Sequence, residues 1–407
     1  MADSPRALLD DRQGAVNVLF LSPNFPPQFH LFCRALREEG MVALGIGDSP
    51  PHDVSRPLAE AVTEYLYLRD LNQYDDVLRA VGYLTWRYGK IDRIDSLNEH
   101  WLPLEARLRE DFNVEGPRPA ELRRHRSKTA MREIFTAAGV PCTEGEPVTS
   151  PDQLRAFARR VGYPLVLKPD VGVGAWSTFK LAGPEALEAA LRGMSLDGFV
   201  VEKFAHGVLT SYDGLCDREG RVIVETSHLY STGVMDVVNE GLDVWYYNRR
   251  QIPQGLRALG KKVAEAFGIR ERFFHIEFFE EPGGTFRALE INIRPPGGYT
   301  TDMMNFSADA DVYRLWARAL GGRDVSGTPF DRKYHCAHAS RRYRVQYRVP
   351  HGELLSRLGP QLVLERPIPP ALAAAMGDHE YLIRDADEGR LRASIDLIQA
   401  RPPGSAE

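Results

Sequence analysis

The chain has 407 residues, 26% of them charged, and a net charge of -5. That length allows two or three modules, since single cores rarely grow past about 250 to 300 residues, and the charge leaves no overall basic field to hold a nucleic-acid backbone or an anionic membrane. Cys33, Cys142, Cys216 and Cys336 lie far apart with no C-x-x-C pair, which removes the usual zinc and redox spacings.

The first 14 residues carry Asp3, Arg6, Asp10, Asp11 and Arg12 and lack the apolar stretch of a signal peptide. Nowhere does a run approach the roughly 18 apolar residues of a membrane span. These readings predict a soluble, cytoplasmic protein whose partners are small molecules. Val16 to Leu21 reads as a strand, followed by a helix from Gln28 to Glu39 that stops at Gly40. Val42 to Ile46 and Tyr65 to Leu68 are further strands, then comes a helix from Asn72 to Tyr88 and a strand from Ile91 to Ile94. Strands alternating with helices predict a doubly wound parallel sheet over residues 15–117. The loop after the first strand, Ser22 to Phe29, has no glycine to admit a pyrophosphate, so a nicotinamide or flavin role loses its main support.

From Pro119 to Ala138 the pattern is helical, with the basic run Leu122 to Lys128 read as a solvated face, and it closes at Gly139-Val140-Pro141. Next come a helix from Ser150 to Val161 with Pro151 in its first turn, a strand from Pro164 to Lys168, a glycine loop, a strand, a helix from Pro184 to Arg192, and strands at Phe199 to Phe204 and Arg221 to Thr226. Tyr230 to Arg250 reads as irregular, Gln254 to Phe267 as a helix. Beyond Thr328 the strand-like pieces are His338 to Arg348 and Glu380 to Arg384, and residues 401–407 form a loose tail.

Two segments between these, Phe273 to Phe279 and Arg287 to Arg294, flank Gly283-Gly284. A two-residue hairpin loop there sets Glu277 opposite Glu290 and His275 opposite Asn292. Alternation then places Glu290, Asn292 and Arg294 on one face and Leu289, Ile291 and Ile293 on the other. Like charges directly opposite are unfavourable, and the neighbouring Phe273, Phe274, Phe278 and Phe279 argue against a hairpin lying mostly in water. A hard divalent cation, which takes oxygen ligands and completes its shell with water and phosphates, resolves the conflict. Lys168 ends an apolar strand just before the loop Val171 to Ser177, where backbone amides and a positive charge can cradle phosphate; a solvated lysine at a strand end is the plain alternative. Glu202, in Val200 to Gly207, reads either as an acceptor for a purine amine or ribose hydroxyl or as half of an exposed Glu-Lys pair.

In order along the chain, Lys128, Lys168, the glycine loop, Glu202-Lys203, Glu277 and Glu290-x-Asn292-x-Arg294 together resemble the ATP-grasp superfamily, over about Arg118 to Gly321. The resemblance implies a two-lobed α+β nucleotide-binding domain at residues 118–328, its small lobe about 140–200, with a mixed capping element at 329–400. It implies ATP and Mg²⁺, or Mn²⁺, as cofactors. Lys128 and Lys168 would contact phosphates, Gly172 and Gly174 close over them, and Glu202, Lys203 and Ala205 hold adenine and ribose. Asp213 would add a polar contact. Glu277, Glu290 and Asn292 would bind the metal, and Arg294 would face the transferred phosphoryl group or acyl phosphate. Trp176 either packs beneath the sheet or covers the nucleotide. The implied reaction is that of a carboxylate-amine ligase resembling the L-amino-acid ligases: a small carboxylate is activated as an acyl phosphate and joined to an amine, releasing ADP and phosphate. A biotin-dependent carboxylase subunit and a nonenzymatic nucleotide-binding regulator are the alternatives. Substrate contacts are expected from Ser227 to Asp236 and Asp243 to Arg250, with Arg249 or Arg250 as a carboxylate clamp or as plain surface charge. A homodimer is the default assembly.

Overall fold

The structure, a computed structural model, describes residues 15–172, 177–231, 242–325 and 327–403. Four parallel strands, β1 (Asn17–Leu21), β2 (Val42–Gly47), β3 (Glu64–Tyr67) and β4 (Arg93–Asp95), pair in the order β3-β2-β1-β4. Every residue of β1 and β2 is buried, as a parallel sheet covered on both faces requires. Helix His30–Glu38 packs Phe32, Cys33 and Leu36 on one face, and helix Tyr74–Tyr88 packs Val77, Val81 and Leu84 on the other. The first face is shared with the rest of the chain. Phe32 meets Tyr313, Trp316 and Phe273 edge-on at centroid distances of 4.7, 5.2 and 6.0 Å.

A second, antiparallel sheet is built from β5 (Gly145–Val148), β6 (Leu165–Pro169), β7 (Phe179–Leu181) and β8 (Phe199–Lys203), in the order β5-β8-β6-β7. Helices Pro151–Val161 and Pro184–Leu191 cover it around Leu154, Phe157, Leu165, Leu167 and Val201. The first helix starts where Ser150 Oγ accepts from the Gln153 amide.

The third sheet has nine strands: β9 (Val208–Cys216), β10 (Val222–Thr226), β11 (His228–Tyr230), β12 (Trp245–Asn248), β13 (Phe273–Glu280), β14 (Phe286–Asn292), β15 (His335–Arg341), β16 (Leu362–Pro367) and β17 (His379–Asp385). Their order is β14-β13-β9-β11-β12-β15-β17-β16, with β10 also on β9. Several expectations are corrected here. Strand β9 was not anticipated, because its polar residues fall on both faces and hide the alternation. The stretch read as irregular contains β12, whose free edge takes β15. Residues 329–400, expected as a mixed capping element, contribute β15, β16 and β17 to this sheet, and β15 ends at Arg341, before the expected Arg348. The helical region from Pro119 restarts at Ser127, whose Oγ caps helix Lys128–Ala137. Its basic run is only partly solvated: Arg124 donates to the Ala266 carbonyl, and burial against Phe267 pushes His125 down to about 3. Among the described residues no helix is long and apolar enough to cross a membrane.

One face of the large sheet packs on helix Gln254–Phe267 through Tyr212, Phe274, Ile276 and Ile291, and on helices His351–Leu358 and Glu388–Gln399 through Tyr247, Ala337 and Ile383. The opposite face looks toward the first module. Arg272, just before β13, donates to Asp95 at 2.7 Å, to Glu105 at 2.7 Å and to the Ile293 carbonyl at 3.1 Å, while Arg109 donates to Glu105 at 2.7 Å. Burial opposes ionisation of Glu105, yet Arg272 and Arg109 hold it down to about 2. Removing the guanidinium strands two buried carboxylates, so Arg272→Ala should lose about 3 to 5 kcal/mol in denaturant unfolding. A loss no larger than that of a surface substitution would show that the cluster does not tie the modules.

Candidate active site

The hairpin β13–β14 turns through Pro282-Gly283-Gly284, not through two residues: the Glu281 amide donates to the Thr285 carbonyl at 2.9 Å, with Gly283 and Gly284 at φ +99° and +77°. The extra loop residue is offset by a bulge at Leu289. The rungs His275↔Asn292 and Glu277↔Glu290 follow from these two departures together. Because of the bulge, Ala288 and not Leu289 joins Ile291 and Ile293 in the core, and the Ala288 amide donates to the Pro141 carbonyl at 2.7 Å.

Strand β9 lies on the other side of β13, with Asp213 opposite His275 and Ser211 opposite Glu277. Two rows thus cross three strands on one face: Asn292, His275, Asp213, and Glu290, Glu277, Ser211. His275 Nδ1 meets Asp213 Oδ1 at 2.5 Å and its Nε2 meets Glu277 Oε1 at 3.1 Å. The second Asp213 oxygen accepts from Ser211 Oγ at 2.5 Å and from His228 Nδ1 at 2.7 Å. Asp213 is fully buried and spent on these partners, so it braces His275 instead of presenting a free contact to a nucleotide. Burial opposes charging His275, but Asp213 and Glu277 raise it to about 9, and it serves as a double donor at neutral pH. Burial would likewise raise Glu277, but His275, Arg294 and Lys168 hold it below the usual carboxylate range.

Lys128, the first residue of its helix, donates to the Gly172 carbonyl at 3.2 Å and stands 3.7 Å from Glu290. The glycine loop is anchored to the same helix start. Asp170 accepts from Ser127 Oγ at 2.6 Å and from the Thr129 amide and hydroxyl at 2.8 Å. Gly172 is described; Gly174 and Trp176 lie outside the described residues. Buried Lys168 pairs with Glu202 at 2.8 Å, and Arg132 takes the other Glu202 oxygen. Gly145 permits this, since a Cβ there would meet Arg132 and Glu202 at 2.8 Å. Glu202 is thus turned to two cations, while Lys203 and Ala205 open onto a cavity of about 610 Å³ with Arg132, Glu281 and Arg287.

Arg294 donates to the Pro295 carbonyl at 2.8 Å and faces Glu99 at 3.8 Å. Burial pushes Glu99 up to about 7 against the pull of Arg294. Glu99 comes from the turn after β4, a contribution of the first module that sequence reading missed; the loops beyond the carboxyl ends of parallel strands are where such residues are to be sought. The substrate expectation fares differently. Arg249 bonds Glu280 at 2.6 Å, and with Arg250 lines a 480 Å³ cavity. Alternation along β13 puts Glu280 on the face opposite Glu277, so neither arginine joins the Arg294 cluster. The expected contacts at residues 232–236 lie outside the described residues.

Glu277 and Glu290 are each 23% exposed, and the Asn292 amide nitrogen donates to Glu290 at 3.3 Å, which leaves its oxygen as an acceptor. An all-oxygen set of two carboxylates and an amide fits Mg²⁺.

Compared with solved structures, the chain matches an L-amino acid ligase from Bacillus licheniformis at a TM-score of 0.73, covering 94% of this chain and 96% of that one at 18% identity. The chain has the ATP-grasp fold. Two further structures match it: N5-carboxyaminoimidazole ribonucleotide synthetase from Thermus thermophilus (TM-score 0.70, 16% identity, 95% and 100% coverage) and the biotin carboxylase domain of Hydrogenobacter thermophilus 2-oxoglutarate carboxylase with MgADP and bicarbonate (0.67, 17%, 93% and 89%). In sequence it is 21% identical over 272 residues to the L-arginine-specific L-amino acid ligase of Bacillus subtilis, 65% of each chain. It is 32% identical over 116 residues to phosphoribosylamine–glycine ligase of Synechocystis, 28% of this chain and 27% of that one. An uncharacterised protein of Sinorhizobium fredii is 33% identical over 92 residues, 22% and 19% of the two chains. Each match spans less than two thirds of the relative's own length. No protein-family model matches the chain.

The Asp213–His275 pair has a measurable signature. A raised histidine stabilises the folded chain below its unfolded value of 6.5 and loses that contribution as pH rises through about 9. Asp213, lowered to about 2 although burial opposes it, contributes above its unfolded 3.8 and loses its share as pH falls through about 2. In Asp213→Asn the His275 imidazole, followed by NMR, should titrate near or below 6.5; a value still near 9 would locate the stabilising charge elsewhere.

Proposed function

We propose that this ATP-grasp chain is an ATP-dependent carboxylate-amine ligase that activates a small carboxylate, by likeness to the L-amino acid ligases an amino acid, and joins it to an amine. The observation that supports this most is the gathering, on one sheet face, of Glu277, Glu290 and Asn292 with Lys128 and Arg294 beside them. In the proposed reaction a substrate carboxylate oxygen attacks the γ-phosphorus of ATP, the bond to the β,γ-bridging oxygen breaks, and ADP leaves. The amine nitrogen then attacks the acyl carbon, the carbon–oxygen bond to phosphate breaks, and the proton shed by the amine departs with phosphate or to solvent. No side-chain nucleophile is needed.

Mg²⁺ held by Glu277, Glu290 and Asn292 would supply charge neutralisation at the phosphate oxygens. Lys128 and Lys168 would oppose the phosphate charge, with Glu202 and Arg132 fixing where Lys168 stands. Arg294 would face the reacting end, oriented by Glu99, where its charge stabilises the transferring phosphoryl group. His275 holds one Glu277 oxygen and so aims the other.

Incubation with Mg-ATP, a panel of amino acids and hydroxylamine should yield ADP and a hydroxamate with particular acids only. ADP formed with bicarbonate alone would move the reading toward a carboxylase, and nucleotide binding without ADP across the panel toward a regulator. Glu290→Ala should lower turnover at least about a hundredfold, the scale of several kcal/mol of lost charge stabilisation, at unchanged melting temperature. Arg294→Ala should lower kcat about 10²- to 10³-fold with a smaller effect on nucleotide Kd; equal losses in both would reduce Arg294 to a binding residue.

A further inference from the structure

Away from the nucleotide face, three residues from separate elements meet at the outer rim of the large sheet: His351 opens helix His351–Leu358, Glu365 lies in β16 and His379 begins β17. Each offers a ligand atom within 4.8 Å of the other two. His379 Nε2 stands 2.5 Å from Glu365 Oε2, and the two imidazole centroids are 5.0 Å apart. The register places Glu365 opposite Tyr381 and His379 opposite Pro367, so Glu365 and His379 are diagonal neighbours on one face.

We propose that His351, Glu365 and His379 form a zinc site. Two imidazoles and a carboxylate are a zinc-type donor set that leaves a coordination position for water. Magnesium, which demands oxygen ligands, is disfavoured there. Both rings have a partner on their other side. Tyr381 Oη lies 2.8 Å from His351 Nδ1, and Tyr343 Oη 3.4 Å from His379 Nδ1. Such outer partners fix ring orientation and tautomer in metal sites. A His379–Glu365 hydrogen bond explains two of the three residues but not the third. Ligand atoms on a tetrahedral zinc are about 3.3 Å apart given bonds of about 2.0 to 2.1 Å, so the metal would part His379 from Glu365 and draw His351 inward. Side chains this close to solvent can make that adjustment by torsion; Glu365 is 34% exposed. The zinc would pin the helix start to the β16–β17 hairpin.

The test uses the full chain, stripped with a chelator and titrated with zinc chloride alone, with bound zinc read by atomic absorption after gel filtration and affinity by competition with a chromogenic chelator. The expected result is one zinc per chain, with a melting temperature that rises with zinc. His379→Ala and Glu365→Gln should each weaken binding more than about a hundredfold and abolish that rise, and Tyr381→Phe should weaken it about tenfold. Excess magnesium should leave the zinc in place. A chain that retains no zinc overturns the site, as does displacement by magnesium. So does a variant lacking all three ligands that keeps as much zinc as the parent; its melting temperature without metal, expected unchanged, checks that it is folded.

Discussion

The buried guanidinium of Arg272 is the constraint on which the arrangement depends. It reaches two carboxylates of the first module and, from the other side, the carbonyl of Ile293, the residue between Asn292 and Arg294. A planar, permanently charged fork is suited to this, because several bonds fix orientation as well as distance. The end of β14 is thereby held against the end of β4, and Glu99 comes within reach of Arg294. The first module contributes a wall of the site, not only a scaffold beside it.

Within the large sheet the same economy recurs on a smaller scale. Glu277 is held by a protonated histidine, which is held by Asp213, which is shared with a second histidine. A buried chain of this kind is stable only when its members are satisfied, and it then restricts each to one orientation. His228 Nε2 is the end of the chain, with no hydrogen-bond partner among the described residues. Lys128 has a comparable double tie, since one ammonium group touches both the loop carbonyl of Gly172 and the carboxylate of Glu290.

Much of the first module was legible in the sequence because its strands are apolar on both faces and its helices have one apolar stripe. The acids of the hairpin were legible because charge among phenylalanines is conspicuous. What stayed hidden depends on contacts between distant segments. Nothing near Asp170 announces that it caps the helix beginning at Lys128, and nothing near Glu99 that it meets Arg294. Strand β9 went unread because Ser211 and Asp213 look like loop residues until histidines from two other strands are set against them. His351, Glu365 and His379 follow no short spacing, and only the folding of β16 on β17 brings them together. The facing of Glu277 and Glu290 was read from a two-residue turn that does not exist, and the bulge supplied the missing offset.

That bulge at Leu289 has a mechanical meaning. It divides the hairpin into a distal part next to the turn and a proximal part that carries the two acids, while β9 backs β13 on both sides of it, from Phe273 to Glu280. A bulge absorbs a residue without passing the shift along the strand. The tip from Glu281 to Thr285 can therefore lengthen, shorten or tilt while Glu277 and Glu290 keep their places, so this hairpin can acquire new contacts at its end without disturbing the acids at its base.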